Sequence, residues 1–309
     1  MIKYMKKIKY FSLTLLILFL VYNIDLVLES TKSASILFFE KVFICTFPFI
    51  ILSDILIYFD YHIFLKNTIG KIFSKLFNID PNTSIVIILS LLTSLPANSI
   101  YIKNMLDNKL IDINEANKLL TFTYFPSISF VFGVVGFSLY NDLKIGLLLY
   151  LNCLIYNFLI GIYLRKEKFN YINKTNIENK SSFMNTIKNS IVKAISSCSL
   201  ILGNLIIFIV IINLLNKYIT FNEVLTTFVG GLLELTSGVI NIYNLDISLV
   251  MKLLLTSFML NFSSLSIIFQ SVSILDGYKI NIKKILIIKL IFSTISTLLF
   301  TILLLLLHI

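Results

Sequence analysis

The chain contains few of the side chains that catalytic and metal centres use. Histidine occurs only twice in 309 residues, at His62 and His308, which lie far apart in the sequence. A membrane hydrolase needs a nucleophile with its base, or a set of metal ligands, and no HExxH motif is present to supply them. We therefore expect a protein that is not an enzyme, with no catalytic residue, no metal ligand and no cofactor.

Cysteine is almost as scarce as histidine. Cys45, Cys153 and Cys198 are scattered through apolar runs without CxxC spacing. This arrangement argues against a disulfide framework and a cysteine-ligated metal, and it favours buried structural thiols. The glycine-rich phosphate loop GxxxxGK[ST] is also missing, so we expect no ATP site.

Charged residues make up only 14% of the chain, whereas 57% of the residues are hydrophobic. The mean hydropathy is +0.92. Apolar runs such as Ile145–Leu164, Leu200–Leu215 and Ile285–Leu307 are almost free of charge, and with their flanks they reach the roughly 20 residues that cross a hydrocarbon core. The composition predicts an all-α polytopic membrane protein that has the lipid bilayer as a partner.

The formal net charge is +10, and the basic residues lie at the ends of the apolar runs. This distribution is typical of membrane topology, so we expect no nucleic-acid partner. Four lysines precede the first apolar run and predict a cytoplasmic N-terminus. Residues 1–34 then form a basic end and a first span, Tyr10–Leu28. A secretory signal peptide is the alternative, but the apolar run is longer than the usual signal-peptide core, which favours an uncleaved span.

Residues 35–164 are predicted to form a first repeat. It contains a span over residues 35–59, an amphipathic surface helix over residues 69–77, and two further spans over residues 118–140 and 144–164. The basic loop that follows residue 59 and the basic segment that begins at residue 165 are both predicted to be cytoplasmic, so the chain between them must cross the membrane an even number of times. The two spans over residues 118–140 and 144–164 already give an even number, so the apolar residues 84–106 have to enter and leave the membrane on one side. Pro96 interrupts this segment, which predicts a re-entrant helical hairpin.

Residues 165–190 form a polar, basic segment that is predicted to be a cytoplasmic linker. Residues 191–274 form a second repeat, in which two spans enclose another hairpin over residues 222–244, broken near Glu234. A cytoplasmic loop and a last span follow in residues 275–309. The two hairpins open on opposite sides, so the fold class is an inverted-repeat, transporter-like bundle with seven spans and two re-entrant helical hairpins.

The spans that follow the two hairpins also match each other. Lys118-Leu119-Leu120 corresponds to Lys252-Leu253-Leu254, and a polar interruption follows each of them at a similar distance. The first interruption contains Pro126, and the second contains Asn261, Ser263 and Ser264. Both spans are therefore predicted to be broken near the middle of the membrane.

Four segments carry a family resemblance: FFEKVFICTFPFIILSDILI from Phe38, LLTSLPANS from Leu91, DINEANKLLTFTYFPSISFVFGVVG from Asp112 and GLLELTSG from Gly231. Together they resemble the YlbJ family of sporulation integral membrane proteins, within the nucleoside-recognition or Gate domain group. The resemblance implies an architecture similar to concentrative nucleoside transporters and to the membrane part of ferrous-iron transporters. It also implies a place in the outer forespore membrane and a role in moving dipicolinate during sporulation.

The hairpin tips and the broken spans bring helix N-termini to the middle of the membrane, where their partial positive charge suits an anion. Glu234 could also accept a coupling proton, because ionisable residues inside membranes are costly and usually functional. The alternative is that the polar side chains only hold helices together. The candidate substrate-binding residues are Ser94, Asn98, Ser99, Thr123, Ser127, Ser129, Glu234, Thr236, Ser237, Asn261, Ser263 and Ser264.

These observations predict a multi-pass cell-membrane transporter that moves a small anionic solute by alternating access. A nucleoside or another small solute is an alternative substrate, and a non-transporting scaffold of spore-envelope assembly is an alternative function. The sequence leaves open whether the chain forms a homo-oligomer.

Overall fold

The computed structural model describes residues 2–92, 96–167, 182–219 and 222–306. These residues contain helices and connecting turns and no strand, which confirms the all-α fold class. The α-helices are, in order, α1 Ile2–Tyr22, α2 Ile24–Leu37, α3 Ile44–Tyr58, α4 Tyr61–Leu65, α5 Lys71–Phe77, α6 Ser84–Leu92, α7 Ala97–Asp107, α8 Ile113–Phe122, α9 Leu143–Leu164, α10 Phe183–Tyr218, α11 Glu223–Leu233, α12 Leu235–Asn244, α13 Leu249–Phe262, α14 Leu265–Ile274 and α15 Ile282–Leu306.

Three π-helical stretches and one 3-10 turn complete the described helices. The π-helical stretch Phe38–Phe43 joins α2 to α3 without a break, and another, Lys66–Gly70, joins α4 to α5. The third, Ser129–Leu139, follows the non-helical residues after α8, and the 3-10 turn Pro81–Thr83 leads into α6.

The first predicted span is bent rather than straight. The helix axes on either side of Asn23 differ by 80°, so the segment predicted as the first span, Tyr10–Leu28, is a bent pair of helices, and its crossing of the membrane stays a prediction. Asn23 is buried, and its Oδ1 accepts hydrogen bonds from Lys217 Nζ at 2.7 Å and from Tyr218 Oη at 2.8 Å. These bonds to the end of α10 hold the bend, and α2 then continues as one helical stretch through α3.

The predicted amphipathic helix over residues 69–77 is divided between two environments. Ile69 and Ile72 are exposed, but Phe77 is buried, with its ring centroid 5.0 Å from that of Phe122 and 5.4 Å from that of Phe158. Only part of this helix is therefore free to face a membrane surface, because its other side packs against α8 and α9.

Both predicted hairpins are present as pairs of helices. α6 and α7 occupy the first segment, and α11 and α12 occupy the second, where the break lies at Glu234. Gly231 and Gly238 let α11 and α12 cross closely, because a Cβ added at Gly238 would lie 2.2 Å from the Cα of Gly231. Their opening on opposite membrane faces stays a prediction.

Both broken spans also have their breaks where the sequence predicts them. Residues 123–127 are non-helical between α8 and the third π-helical stretch. α13 ends at Ser263 and α14 begins after Ser264, and both serines have positive φ angles, 68° and 58°. We call residues 123–127 the first break and residues 263–264 the second break.

Four helical segments are long and apolar enough to cross a membrane: Leu143–Leu164, Phe183–Tyr218, Leu249–Ile274 and Ile282–Leu306. Counting each bent helix pair as one span raises this number to six among the described residues. The polytopic membrane class is confirmed, and the number of seven spans, of which the one over residues 118–140 is predicted to be broken at Pro126, stays a prediction.

The same order of elements occurs in both halves of the chain: a long helix, a hairpin, a broken span and a further long helix. The packing crosses between the halves, because α7 packs against α14 and α12 packs against the π-helical stretch Ser129–Leu139. Each hairpin thus contacts the broken span of the other half. This arrangement is compatible with an inverted repeat, and the inversion itself stays a prediction.

Candidate functional site

A cleft of about 80 Å³ lies where the first break, the second hairpin, α10 and α14 meet. Its polar side chains are Ser127 from the first break, Glu234 and Thr236 from the hairpin tip, and Gln270 from α14. Three of the predicted site residues are therefore brought together. The apolar side of the cleft is formed by Val42, Pro126, Phe130, Ile201, Leu205, Leu235 and Ile267.

Glu234 is buried at the break of the second hairpin and caps the N-terminus of α12. Its Oε1 accepts from the backbone N–H of Thr236 at 2.9 Å, and its Oε2 accepts from the backbone N–H and the hydroxyl of Ser237, both at 2.7 Å. A carboxylate placed there offsets the positive end of the helix. The carboxylate of Glu234 thus already occupies the N-terminus of α12. A role of Glu234 in proton coupling stays a prediction.

The first hairpin is tied to the first break by its polar tip. Asn98 is buried, and its Nδ2 donates to Thr123 Oγ1 at 3.2 Å. The Ser99 hydroxyl donates to Asn98 Oδ1 at 3.4 Å, and Thr123 Oγ1 donates to the Leu119 carbonyl at 2.8 Å. Asn98, Ser99 and Thr123 therefore form one cluster, which is separate from the residues that line the cleft.

Two predicted site residues lie beyond these observations. Ser94 falls in the tip of the first hairpin, outside the described residues. Ser129 begins the third π-helical stretch, and its side chain is not among those described. The close approach of the two tips, near Pro96 and Thr236, stays a prediction.

The second break is the start of a chain of buried polar side chains. Asn261 Nδ2 donates to Ser296 Oγ at 3.2 Å, and the Ser296 hydroxyl donates to Asn152 Oδ1 at 2.9 Å. Asn152 Nδ2 in turn donates to Ser257 Oγ at 2.8 Å. These bonds connect α13, α15 and α9, while the Oδ1 of Asn261 is buried without a hydrogen-bond partner among the described residues, so a site role of Asn261 stays a prediction.

Ser263 and Ser264 differ in their hydrogen bonding. Ser263 Oγ donates to the Leu260 carbonyl at 3.2 Å, as expected at the end of a helix. Ser264 is fully buried, and its Oγ has no hydrogen-bond partner among the described residues. It precedes α14 without capping it, so the first backbone N–H groups of α14 also lack a side-chain cap.

Lys289, the eighth residue of the 25-residue helix α15, is a residue that the sequence reasoning missed. It has no exposed surface, and its Nζ lies 3.9 Å from the ring centroid of Tyr124 and 5.6 Å from that of Tyr156. Tyr124 belongs to the first break. The same Nζ lies 3.4 Å from Ser263 Oγ, so this cation sits between the two breaks.

The signal that could have identified Lys289 is its position in the apolar run Ile285–Leu307. Lys289 is the fifth residue of that run, and an ionisable residue inside a membrane segment is costly and generally functional. Asn157 on α9 was also missed; its Nδ2 donates to the Tyr124 carbonyl at 3.1 Å and so satisfies an acceptor of the non-helical first break. An asparagine inside an apolar run is a similar signal.

Two acidic residues outside the cleft have evident structural roles. Asp54 pairs with Lys193 at 3.2 Å and accepts from Asn104 Nδ2 at 3.0 Å, which joins α3 to α10 and α7. Glu115 at the start of α8 is buried and accepts from the backbone N–H of Asp80 at 2.6 Å. Burial raises the pKa of the Glu115 carboxyl to about 8.

A second cavity, of about 430 Å³, lies between α7 and α10. Lys103, Asn104, Asp107 and Lys193 are among its lining residues, and Lys193 is paired with Asp54. Among the described residues, no group of three histidine, cysteine, aspartate or glutamate side chains could hold a metal ion.

The chain is similar to the sporulation integral membrane protein YlbJ of Bacillus subtilis (strain 168). The two sequences are 22% identical over 301 residues, which cover 85% of this chain and 74% of the relative. No family model and no solved structure gives a significant match to the chain. This similarity confirms the resemblance to the YlbJ family that the four sequence segments suggest. It also confirms that the chain is related to a sporulation protein of the membrane.

Proposed function

We propose that the chain is a sporulation-associated membrane transporter that moves a small anionic solute, dipicolinate or a similar dicarboxylate, by alternating access. The observation that carries the proposal is the meeting of two broken spans and a polar hairpin tip around a buried cleft. Non-helical backbone inside a membrane is tolerated where it is buried in protein or lines a cavity, and both breaks meet this condition. The similarity to a sporulation membrane protein supports the biological setting.

The size of the cleft indicates which movement transport would need. About 80 Å³ holds only a few water molecules and is smaller than the several hundred Å³ of an ordinary small-molecule site. The described conformation is therefore closed to a dicarboxylate. Because Glu234 and Thr236 form one wall and α10 forms another, separation of the second hairpin from α10 would enlarge the cleft.

The test is uptake of radiolabelled dipicolinate by purified protein in liposomes, with uridine as the neutral alternative. Thr236→Leu changes one polar wall of the cleft, and Asn98→Leu removes the bond between the first hairpin and the first break. We expect both variants to fold and to lose most of the transport. Thr294→Leu is the matched control, because Thr294 is exposed on α15 and bonds only within its own helix.

The scaffold alternative gives different results in the same assay. A scaffold would show no uptake of any solute above empty liposomes, and Thr236→Leu would then be silent or would only destabilise the fold. Full transport activity in well-folded Asn98→Leu and Thr236→Leu would overturn the proposed site.

A further inference from the structure

Lys289 is a fully buried lysine, and the hydrogen-bond acceptors described for its Nζ, the Asn261 carbonyl and Ser263 Oγ, carry no charge. Lys193 is paired with Asp54 and Lys284 with Glu167, whereas the described contacts of Lys289 Nζ include no carboxylate. A buried charge is expensive unless it is paired and well hydrogen-bonded. Lysine in this position therefore demands an explanation beyond helix packing.

The polar contacts of Lys289 are weak ones. Its Nζ lies 3.4 Å from the Asn261 carbonyl and 3.4 Å from Ser263 Oγ, both near the upper limit for a hydrogen bond. The faces of Tyr124 and Tyr156 supply cation–π attraction, which does not cancel the charge. The ammonium group can thus accept a further, negatively charged partner.

Two buried hydroxyls without partners among the described residues belong to Ser264, which follows the Lys289 contact Ser263 in the chain, and to Tyr156, whose ring centroid lies 5.6 Å from Lys289 Nζ. The Ser264 hydroxyl is fully buried and has no partner in the described part of the chain, and the same is true of the Tyr156 hydroxyl. Ser264 precedes α14, a ten-residue helix whose first N–H groups lack a side-chain cap. Its φ of 58° and ψ of 158° lie in a region that non-glycine residues rarely adopt, so the chain holds this hydroxyl in place at a conformational cost.

The start of α14 contrasts with the start of α12. Glu234 fills the N-terminus of α12 with a carboxylate of the chain itself, whereas the start of α14 has an ammonium group nearby and no acid bonded to it among the described residues. An anion is therefore repelled at the first helix start and attracted at the second. The arrangement near Lys289 fits a carboxylate brought by a ligand.

We propose that Lys289, the Ser264 hydroxyl and the first turn of α14 form the subsite that receives one carboxylate of the transported solute. The inference rests on the proposed function and adds the residue that provides the counter-charge. The subsite adjoins the cleft, because Ile267 and Gln270 of α14 line the cleft and Tyr124 is two residues from Pro126, which also lines it. Displacement of the Tyr124 ring from Nζ would join the two spaces.

The experiment measures dipicolinate binding and thermal unfolding of the purified full-length chain in detergent. Lys289→Met removes the charge and keeps an unbranched apolar side chain. Because it replaces a buried amine whose described hydrogen bonds are both 3.4 Å long, we expect the ligand-free variant to melt at the wild-type temperature or above it. The same variant should bind dipicolinate at least tenfold more weakly and should lose the ligand-induced rise in melting temperature.

Three further variants make the result decisive. Lys289→Arg keeps the charge and should retain more affinity than Lys289→Met, and Ser264→Ala removes one donor and should weaken binding several-fold. Lys252→Met is the matched control: Lys252 also lies over a tyrosine ring, 5.4 Å from the centroid of Tyr243, yet it is only half-buried at the start of α13. We expect wild-type affinity for this control.

Two outcomes overturn the inference and leave the proposed function standing. One is wild-type dipicolinate affinity in Lys289→Met. The other is a large fall in the melting temperature of ligand-free Lys289→Met together with unchanged affinity in Ser264→Ala, which would make Lys289 a structural counter-charge to the end of α13. If the wild-type protein neither binds nor transports dipicolinate, the proposed function itself fails.

Discussion

Glu115 allows a sharp test of the fold at the base of the first hairpin. Its carboxyl group is 1% exposed and accepts hydrogen bonds from the Asp80 backbone N–H and the Thr83 hydroxyl through the same oxygen, Oε1. Burial is the largest cause of the rise in its pKa from 4.5 to about 8, and the nearby Asp80 and Asp112 charges add to the rise. The carboxyl group is therefore mostly protonated at neutral pH in the folded protein.

The direction of the pH effect follows from this shift. The folded state binds a proton more tightly than the unfolded state, so this contribution to stability is fully present below pH 4.5 and is lost as the pH rises through about 8. A pKa shift of this size corresponds to at most about 5 kcal/mol in the free energy of unfolding. Glu115→Gln keeps the accepting oxygen and cannot ionise, so the variant should lack this loss.

The assay is thermal unfolding in detergent between pH 5 and pH 9, followed by far-ultraviolet circular dichroism at 222 nm. We expect Glu115→Gln to match the wild type near pH 5 and to be more stable at pH 9, by up to about 5 kcal/mol. Glu223→Gln is the control, because Glu223 is exposed in the first turn of α11. Parallel stability curves for wild type and Glu115→Gln, or a less stable variant at pH 9, would refute the reasoning.

The remaining predictions concern packing and topology. Gly238→Ala should destabilise the second hairpin by several kcal/mol in thermal unfolding, because its Cβ would meet the backbone of α11 at 2.2 Å. Gly203→Ala is the control: a Cβ there would have no atom within 4 Å, so this variant should be neutral or slightly stabilising. Asn23→Leu should cost about 2–3 kcal/mol, since it removes three side-chain hydrogen bonds, and a wild-type melting temperature would contradict the account of the bend. Cysteines placed at Lys166 and Lys279 should react with a membrane-impermeant thiol reagent from the same, cytoplasmic side, and labelling from opposite sides would overturn the topology.

The elements that the sequence predicted well are those with local causes. Pro126 cannot continue a helix, and it lies in the first break. The polar cluster around Glu234 interrupts an apolar run and coincides with the break between α11 and α12. In both cases the signal and its structural result lie within a few residues of each other, so one sequence suffices to find them.

The elements that the sequence did not predict depend on partners far along the chain. Asn23 bends the first helical segment through hydrogen bonds to Lys217 and Tyr218, which lie 194 and 195 positions further along the chain. No sequence pattern near Asn23 predicts these bonds. The periodicity of residues 69–77 predicts an amphipathic helix on a membrane surface, but in the structure Phe77 packs against Phe122 and Phe158. Periodicity shows which residues share a face, but only tertiary packing decides what covers that face.

The two charges at the centre of the molecule show why an ionisable residue must be read with its surroundings. Glu234 stands at a helix break, so the sequence favoured it as the ligand or proton site. Its carboxylate, however, accepts three hydrogen bonds from the start of its own helix and is well satisfied without a ligand. Lys289 stands inside an apolar run of an unbroken helix, and its Nζ has only long contacts, both of 3.4 Å, to the Asn261 carbonyl and to Ser263 Oγ among the described residues. Because an unsatisfied buried charge costs stability, its presence points to a partner from outside more strongly than a satisfied one does.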